Sequence, residues 1–264
     1  MRRKIAIVGV GYVGKGMVNF FKDHYKIVLY DPALGNESDT KEEVNQCDLA
    51  VVCVPTPMMK DGTCDTSIVE DCVKWIKVPI WIRSTVSPGT TARLTKKYNK
   101  RIVFSPEYLG ESKYYTDWDF HNDEKKCPWF ILGGSEEDCT YVLDIIVPIA
   151  GPTKHYRQMS AIDAEVAKYM ENIYFAMKVT FANEMRRACD SFGANYWEAR
   201  DGWALDPRVD KMHTAVFPSA AGFSGKCLPK DLAGFIRASE KARYRPKFLK
   251  QIWDSNLEFR NGKL

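Results

Sequence analysis

The sequence predicts an α/β fold, a doubly wound and mostly parallel sheet followed by an all-helical domain. Three observations carry this. Short apolar runs of strand length alternate with helix-like stretches, the first run leads into a glycine-rich turn, and after about residue 160 the pattern becomes helical throughout.

The strand candidates are Lys4–Val8, Ile27–Tyr30, Leu49–Val54, Ile80–Arg83, Arg101–Ser105 and Trp129–Leu132, each closed by turn-forming or small polar residues. Helical spacing falls between them, at Tyr12–Lys22, Lys41–Gln46, Ser67–Lys77, Pro88–Tyr98 and Glu136–Ile146. Strand alternating with helix implies parallel strands covered on both faces, and runs apolar on both faces fit that burial. Asp163–Phe192 then proceeds without Gly or Pro and with apolar residues at helical spacing, and a last helix is expected over Pro246–Arg260. The expected domains are 1–158, a dinucleotide-binding sheet domain, and 159–264, a helical domain.

Composition narrows the function classes. The chain has 264 residues, 45% of them hydrophobic and 27% charged, enough for a sizeable core. The net charge is +4 and the basic residues are dispersed, which argues against a nucleic-acid partner. Met1-Arg2-Arg3-Lys4 and the apolar run after it resemble a signal peptide, but Gly9, Gly11 and Gly14 interrupt the run and no cleavage site follows. It reads as a first strand, and no stretch is apolar enough to cross a bilayer. A cytoplasmic protein is expected. Its eight cysteines form no C-x-x-C pair, so free thiols and no metal are expected.

Ile5–Val8 leads into Gly9-Val10-Gly11-Tyr12-Val13-Gly14, a G-x-G-x-x-G segment that opens a helix. Gly9 permits a tight turn, Gly11 lets a pyrophosphate approach the backbone, and Gly14 allows close helix packing. The phosphates would rest on the helix N-terminus, where unpaired amides and the dipole favour an anion. Asp31 ends the second strand 17 residues after Gly14, placed to accept hydrogen bonds from ribose hydroxyls and to repel a 2′-phosphate. This is a Rossmann-type site for NAD rather than NADP. Asp31-Pro32 is also a good turn, which leaves a helix-cap role for Asp31 as the plainer alternative.

Ligands in such sheets bind beyond the carboxyl ends of the strands. There the sequence places Val54-Pro55-Thr56-Pro57, Arg83-Ser84-Thr85-Val86 and Ser105-Pro106-Glu107-Tyr108-Leu109-Gly110-Glu111. Later come Glu165-x-x-Lys168-x-x-x-Asn172 and Gly222-Phe223-Ser224-Gly225-Lys226-Cys227-Leu228-Pro229-Lys230-Asp231. In order and spacing these segments resemble the UDP-glucose and GDP-mannose dehydrogenase family over nearly the whole chain.

The resemblance implies oxidation of a sugar nucleotide's primary hydroxyl to a carboxylate, with two NAD reduced. Cys227 would be the nucleophile that traps the aldehyde, because an aldehyde yields a second hydride only after addition to its carbonyl. Lys168 and Asn172, four apart on one helix face, would stabilise the oxyanion. Glu107 would be the general base, Asp231 would position the hydrolytic water, and Thr85 would stand beside the reacting centre. Gly9, Gly11, Tyr12, Val13, Gly14, Asp31, Pro55, Thr56, Thr85 and Glu111 would contact NAD. Glu107, Leu109, Lys168, Asn172, Gly222 and Phe223 would contact the sugar nucleotide, and Arg208 would reach the substrate of a neighbouring subunit in a homodimer formed through the helical domain.

Two departures bear on this expectation. Family members continue into a further nucleotide-gripping domain, so a natural short form, a fragment, or a separate chain supplying that domain are all open. Ser224 and Lys226 stand where small residues are expected, and Ser224 would restrict a left-handed backbone if one is needed there. A single-oxidation hydroxyacid dehydrogenase, which needs no nucleophilic cysteine, and a non-catalytic NAD-binding subunit are the competing readings.

Overall fold

A computed structural model describes residues 2–108 and 123–262. The chain divides into two compact units, 1–57 with 64–168, and 58–63 with 169–264.

The first unit is built on a seven-stranded sheet ordered β2-β1-β3-β4-β5-β6-β7. Its strands are β1 (Lys4–Val8), β2 (Lys26–Tyr30), β3 (Leu49–Val52), β4 (Ile80–Ile82), β5 (Ile102–Phe104), β6 (Trp129–Gly133) and β7 (His155–Met159). Neighbours run parallel except β5 and β6, which meet antiparallel at Phe104 and Gly133. The chain starts mid-sheet, adds β2 on one side and β3 onward on the other, so the switch of direction falls between β1 and β3. Strand alternation sorts the core into two layers. Ala6, Val8, Ala50, Val52, Ile80 and Ile82 face Val44, Val69, Val73 and Leu94 from α2 (Lys41–Val44), α3 (Ser67–Trp75) and α4 (Thr90–Tyr98). Ile5, Ile7, Leu49, Val51 and Trp81 face Met17, Phe20 and Phe21 of α1 (Tyr12–Phe21) and Val142, Ile145 and Ile146 of α5 (Glu136–Ala150).

Local chemistry sets the helix ends. Thr40 and Glu43 form a reciprocal capping box before α2. Ser135 caps α5 by accepting from the Asp138 amide at 3.1 Å, and three acids occupy the first turn. That helix runs four residues beyond the expected Ile146, through Pro148, and stops at Gly151 with φ +87°. Strand β7 has no counterpart in the sequence reading. Among the described residues its His-Tyr-Arg-Gln-Met pairs only with β6, and a strand at the sheet edge can be polar.

The second unit contains most of α6 (Ala161–Phe192) with α7 (Tyr196–Trp203), α8 (Leu228–Lys241) and α9 (Lys247–Arg260). Its core joins Tyr169, Ile173 and Ala176 of α6 to Phe223, to Leu232 and Ile236 of α8, and to Ile252 of α9. The units divide inside α6, at 168/169, ten residues beyond the boundary expected at 158/159. The reason is packing. Ala164 lies in the sheet-side core, and a Cβ on Gly133 would come within 2.5 Å of Ala164 Cβ. The turn at residues 58–63 also groups with the second unit, where Arg237 Nε donates to Asp61 O at 2.7 Å. No helix among the described residues is long and apolar enough to cross a membrane.

Candidate functional site

The residues singled out by the sequence fall into two groups, one in each unit. In the first unit the glycine turn leaves the carboxyl end of β1. Gly9 has φ +89°, and a Cβ there would lie 2.8 Å from Cys53 O. A Cβ on Gly14 would come within 2.0 Å of Gly9 O, so both positions require glycine for the loop to close. Gly11 differs, since a Cβ there meets nothing within 4 Å. It precedes α1 with no side-chain cap and no acid in the first turn, leaving the helix N-terminus open to an external anion. Tyr12 is exposed and Val13 half-buried at the rim.

Asp31 joins this turn to β2. Its Oδ2 accepts from the Val10 amide at 2.8 Å and its Oδ1 from Ala33 N at 2.9 Å. The second bond caps the 3-10 turn Pro32–Glu37, so the plain cap role is real. The first belongs to the glycine loop, and each carboxylate oxygen retains a lone pair for a ribose hydroxyl. An open, uncapped helix start beside a carboxylate fits a dinucleotide's pyrophosphate and ribose.

Pro55, Thr56 and Thr85 come together beyond β3 and β4. Ser84 Oγ donates to Val54 O at 2.7 Å, and Cys64 Sγ lies within hydrogen-bond reach of both Thr56 O and Thr85 O. Beyond β5, the carbonyl of Glu107 accepts from Lys168 Nζ, and that ammonium stands over the Tyr108 ring at 5.1 Å. Lys168 is buried, as an unmet lysine would not be. Leu109 and Glu111 lie outside the described residues.

In the second unit Cys227 is exposed, whereas Cys53 is half-buried and the other six cysteines are buried. It stands at the N-terminus of α8, and Asp231 N closes the first turn onto Cys227 O at 2.9 Å. Asp231 is 1% exposed, and its carboxylate takes Asn172 Nδ2 on one oxygen and Lys230 Nζ on the other, each at 2.5 Å. Asp231 is therefore a buried carboxylate rather than a surface one. Lys230 is directed at Asp231 rather than at the thiol.

Gly222 and Gly225 carry the left-handed backbone, with φ +77° and +84°. Ser224 is not among the positive-φ residues, so a serine there imposes no strain. A Cβ on Gly222 would meet Asn256 Oδ1 at 2.5 Å. Asn256 is the clamp of this segment, accepting from Phe223 N at 2.6 Å and donating to Phe223 O at 3.1 Å. The Phe223 side chain is 3% exposed and sits in the helical core, so it serves packing and leaves at most its backbone for a ligand. Asn256 was invisible to motif reading because its partner is a backbone 33 residues away. The exposed Arg208 folds back onto Asp206, with Nη2 to Oδ2 at 2.6 Å. Among the described residues no cluster of His, Cys, Asp or Glu could hold a metal ion.

A switch point beside a glycine turn, an uncapped helix start and a carboxylate bonded to the glycine loop are the features of a dinucleotide-binding fold. Residues 23–146 match the NAD binding domain, and residues 162–258 the central domain, of the UDP-glucose/GDP-mannose dehydrogenase family. The chain belongs to that family, whose cofactor is NAD. It is 29% identical to YtcA of Bacillus subtilis (strain 168), over 96% of this chain and 67% of that one. TuaD of the same organism, a UDP-glucose 6-dehydrogenase, is 26% identical over 96% of this chain and 63% of its own. The chain thus spans about two thirds of the length of these relatives. The fold matches a UDP-glucose dehydrogenase of the archaeon Pyrobaculum islandicum with TM-score 0.84 at 22% identity, covering 97% of this chain and 68% of that one.

Proposed function

We propose that this chain oxidises the primary alcohol of a UDP-sugar to the carboxylate in two successive steps, with Cys227 holding the intermediate. The observation that carries this is the exposed Cys227 at the start of α8, one turn from a buried Asp231 that Asn172 and Lys230 hold in place. NAD, held by the Gly9–Gly14 turn and Asp31, supplies the hydride acceptor for both oxidations.

This chain's residues divide the remaining work. Cys227 Sγ adds to the aldehyde carbon formed by the first oxidation, giving a thiohemiacetal that the second oxidation turns into a thioester. Lys168 Nζ and Asn172 Nδ2, four residues apart on α6, donate to the oxygen that carries negative charge during the addition. Glu107 takes a proton from the water that cleaves the thioester, Asp231 orients that water, and Cys227 leaves as thiolate. Thr85 and Thr56 shape the cofactor side, and Arg208 serves a neighbouring copy.

A homodimer through the helical unit belongs to this reading. Met170, Tyr174, Phe181, Met185 and Phe192 are all at least 42% exposed and recur at intervals of four and seven along α6, one continuous apolar seam.

Cys227→Ser tests the covalent step. With UDP-glucose and NAD the variant should stop at the aldehyde, recoverable with a carbonyl trap. Complete conversion to UDP-glucuronate by that variant would remove Cys227 from the mechanism.

A further inference from the structure

Glu165 opens the Glu165-x-x-Lys168-x-x-x-Asn172 motif, and the function proposed above gives it no task. It is fully buried, and both of its carboxylate oxygens are engaged. Oε2 accepts from Gly89 N at 2.5 Å and Oε1 from Thr91 N at 2.8 Å. These amides belong to the start of α4, a helix preceded by Gly89 and lacking any side-chain cap of its own. Glu165 therefore supplies from α6 the acceptor that a helix start needs, and its charge faces the positive end of the α4 dipole.

Two residues of the expected chemistry are tied to the ends of this contact. On one side, Thr85 leads through Val86-Ser87-Pro88 into Gly89, and Thr90 N donates to Ser87 O at 3.0 Å. Ser84 Oγ fixes the other end of that loop to Val54 O. On the other side Lys168 follows Glu165 by three residues on α6, hence on the same flank, and points its ammonium at Glu107 O.

We propose that Glu165 is a positioning residue, which locks the first turns of α6 against the Thr85–Thr91 segment and so sets where Lys168 Nζ stands relative to Glu107 and the cofactor side. Its effect on turnover rests on the function proposed above, but its effect on Lys168 does not. A second observation supports the assignment. Burial pushes the Glu165 carboxyl above its ordinary range, and the Thr91 and Gly89 amides pull it only part of the way back. Gly89 has φ +89°, a conformation in which a Ser or Asp side chain would be strained, so the acceptor for the start of α4 has to come from elsewhere in the chain.

The test compares wild type with Glu165→Gln, which keeps the shape but loses one acceptor, and with Glu165→Ala. Lysine acylation by an activated acetyl ester is followed residue by residue by mass spectrometry, with NADH formation measured in parallel. Lys168 should label at least about tenfold faster in Glu165→Ala and to a smaller extent in Glu165→Gln, the loss of a charged hydrogen bond setting the scale. Lys178 is buried in the second unit and paired with Asp210 at 2.7 Å, so it reports global unfolding and should label at its wild-type rate. Where the wild type turns over, kcat should fall in step with the labelling, less in Glu165→Gln than in Glu165→Ala, with KM for NAD held within about twofold. Lys168 labelling at the wild-type rate in a folded Glu165→Gln and Glu165→Ala would overturn the proposal. A wild type that oxidises no sugar nucleotide would sink the proposed function, while the labelling would still decide the role of Glu165.

Discussion

The three glycines of the G-x-G-x-x-G turn make separable demands, and alanine at each should give a different pair of outcomes. At Gly14 an added Cβ would sit 2.0 Å from Gly9 O, against backbone that cannot rotate away. The loop would have to open by roughly 1 Å, a strain of about 1–3 kcal/mol. For a domain of this size that lowers Tm by about 3–10 °C. At Gly9 the contact is 2.8 Å and φ is +89°, so steric strain adds to a conformational cost of about 1–2 kcal/mol. Gly11 has φ −74° and open space around its Cβ position, so Gly11→Ala should leave Tm within about 2 °C. Its methyl would nonetheless occupy the approach of the pyrophosphate to the α1 amides. Losing one charge-assisted amide contact there costs about 1.5 kcal/mol or more, a rise in the NAD Kd of at least about tenfold. Differential scanning calorimetry and titration calorimetry with NAD read the two effects independently. Gly11→Ala binding NAD with wild-type affinity would refute the placement of the phosphates, and an unchanged Tm in Gly14→Ala would refute the packing argument.

Two further outcomes follow from the same residues. Iodoacetamide at pH 8 should alkylate Cys227 before Cys47, Cys72 and Cys139, whose thiols burial pushes up to about 11, leaving about one in a thousand ionised. Peptide mapping showing Cys72 modified as fast as Cys227 would contradict this. Glu70 is held at about 2, from an ordinary 4.5, by hydrogen bonds from Lys97, Tyr98 and Arg93. A lowered carboxyl contributes stability above its unfolded value and loses it as pH falls toward the folded one, so the Tm gap between wild type and Glu70→Gln should close between about pH 4.5 and 2. A gap independent of pH would assign the effect to packing instead.

Much of this was legible because the sheet is buried on both faces. Each of its first six strands shows as an apolar run, and the glycine spacing marks where β1 turns into α1. Strand β7 was hidden because an edge strand needs no apolar face, and the division inside α6 because Ala164, Glu165 and Lys168 look like any helical turn until their partners are known. The same limit held at the site. Residue types named Cys227, Asp231 and Asn172, but pairings across tens of residues could not be read, whether Asn172 with Asp231, Asn256 with Phe223 or Glu165 with the α4 amides. Ser224 would have restricted a left-handed backbone had one been needed at its position, but the positive φ values fall on Gly222 and Gly225.

The central claim, a double oxidation passing through Cys227, is tested most directly by the amount of NADH formed per UDP-sugar consumed to completion. Two equivalents of NADH, with the uronate as the end product, are predicted for the wild type. One equivalent with the aldehyde as end product would contradict the account.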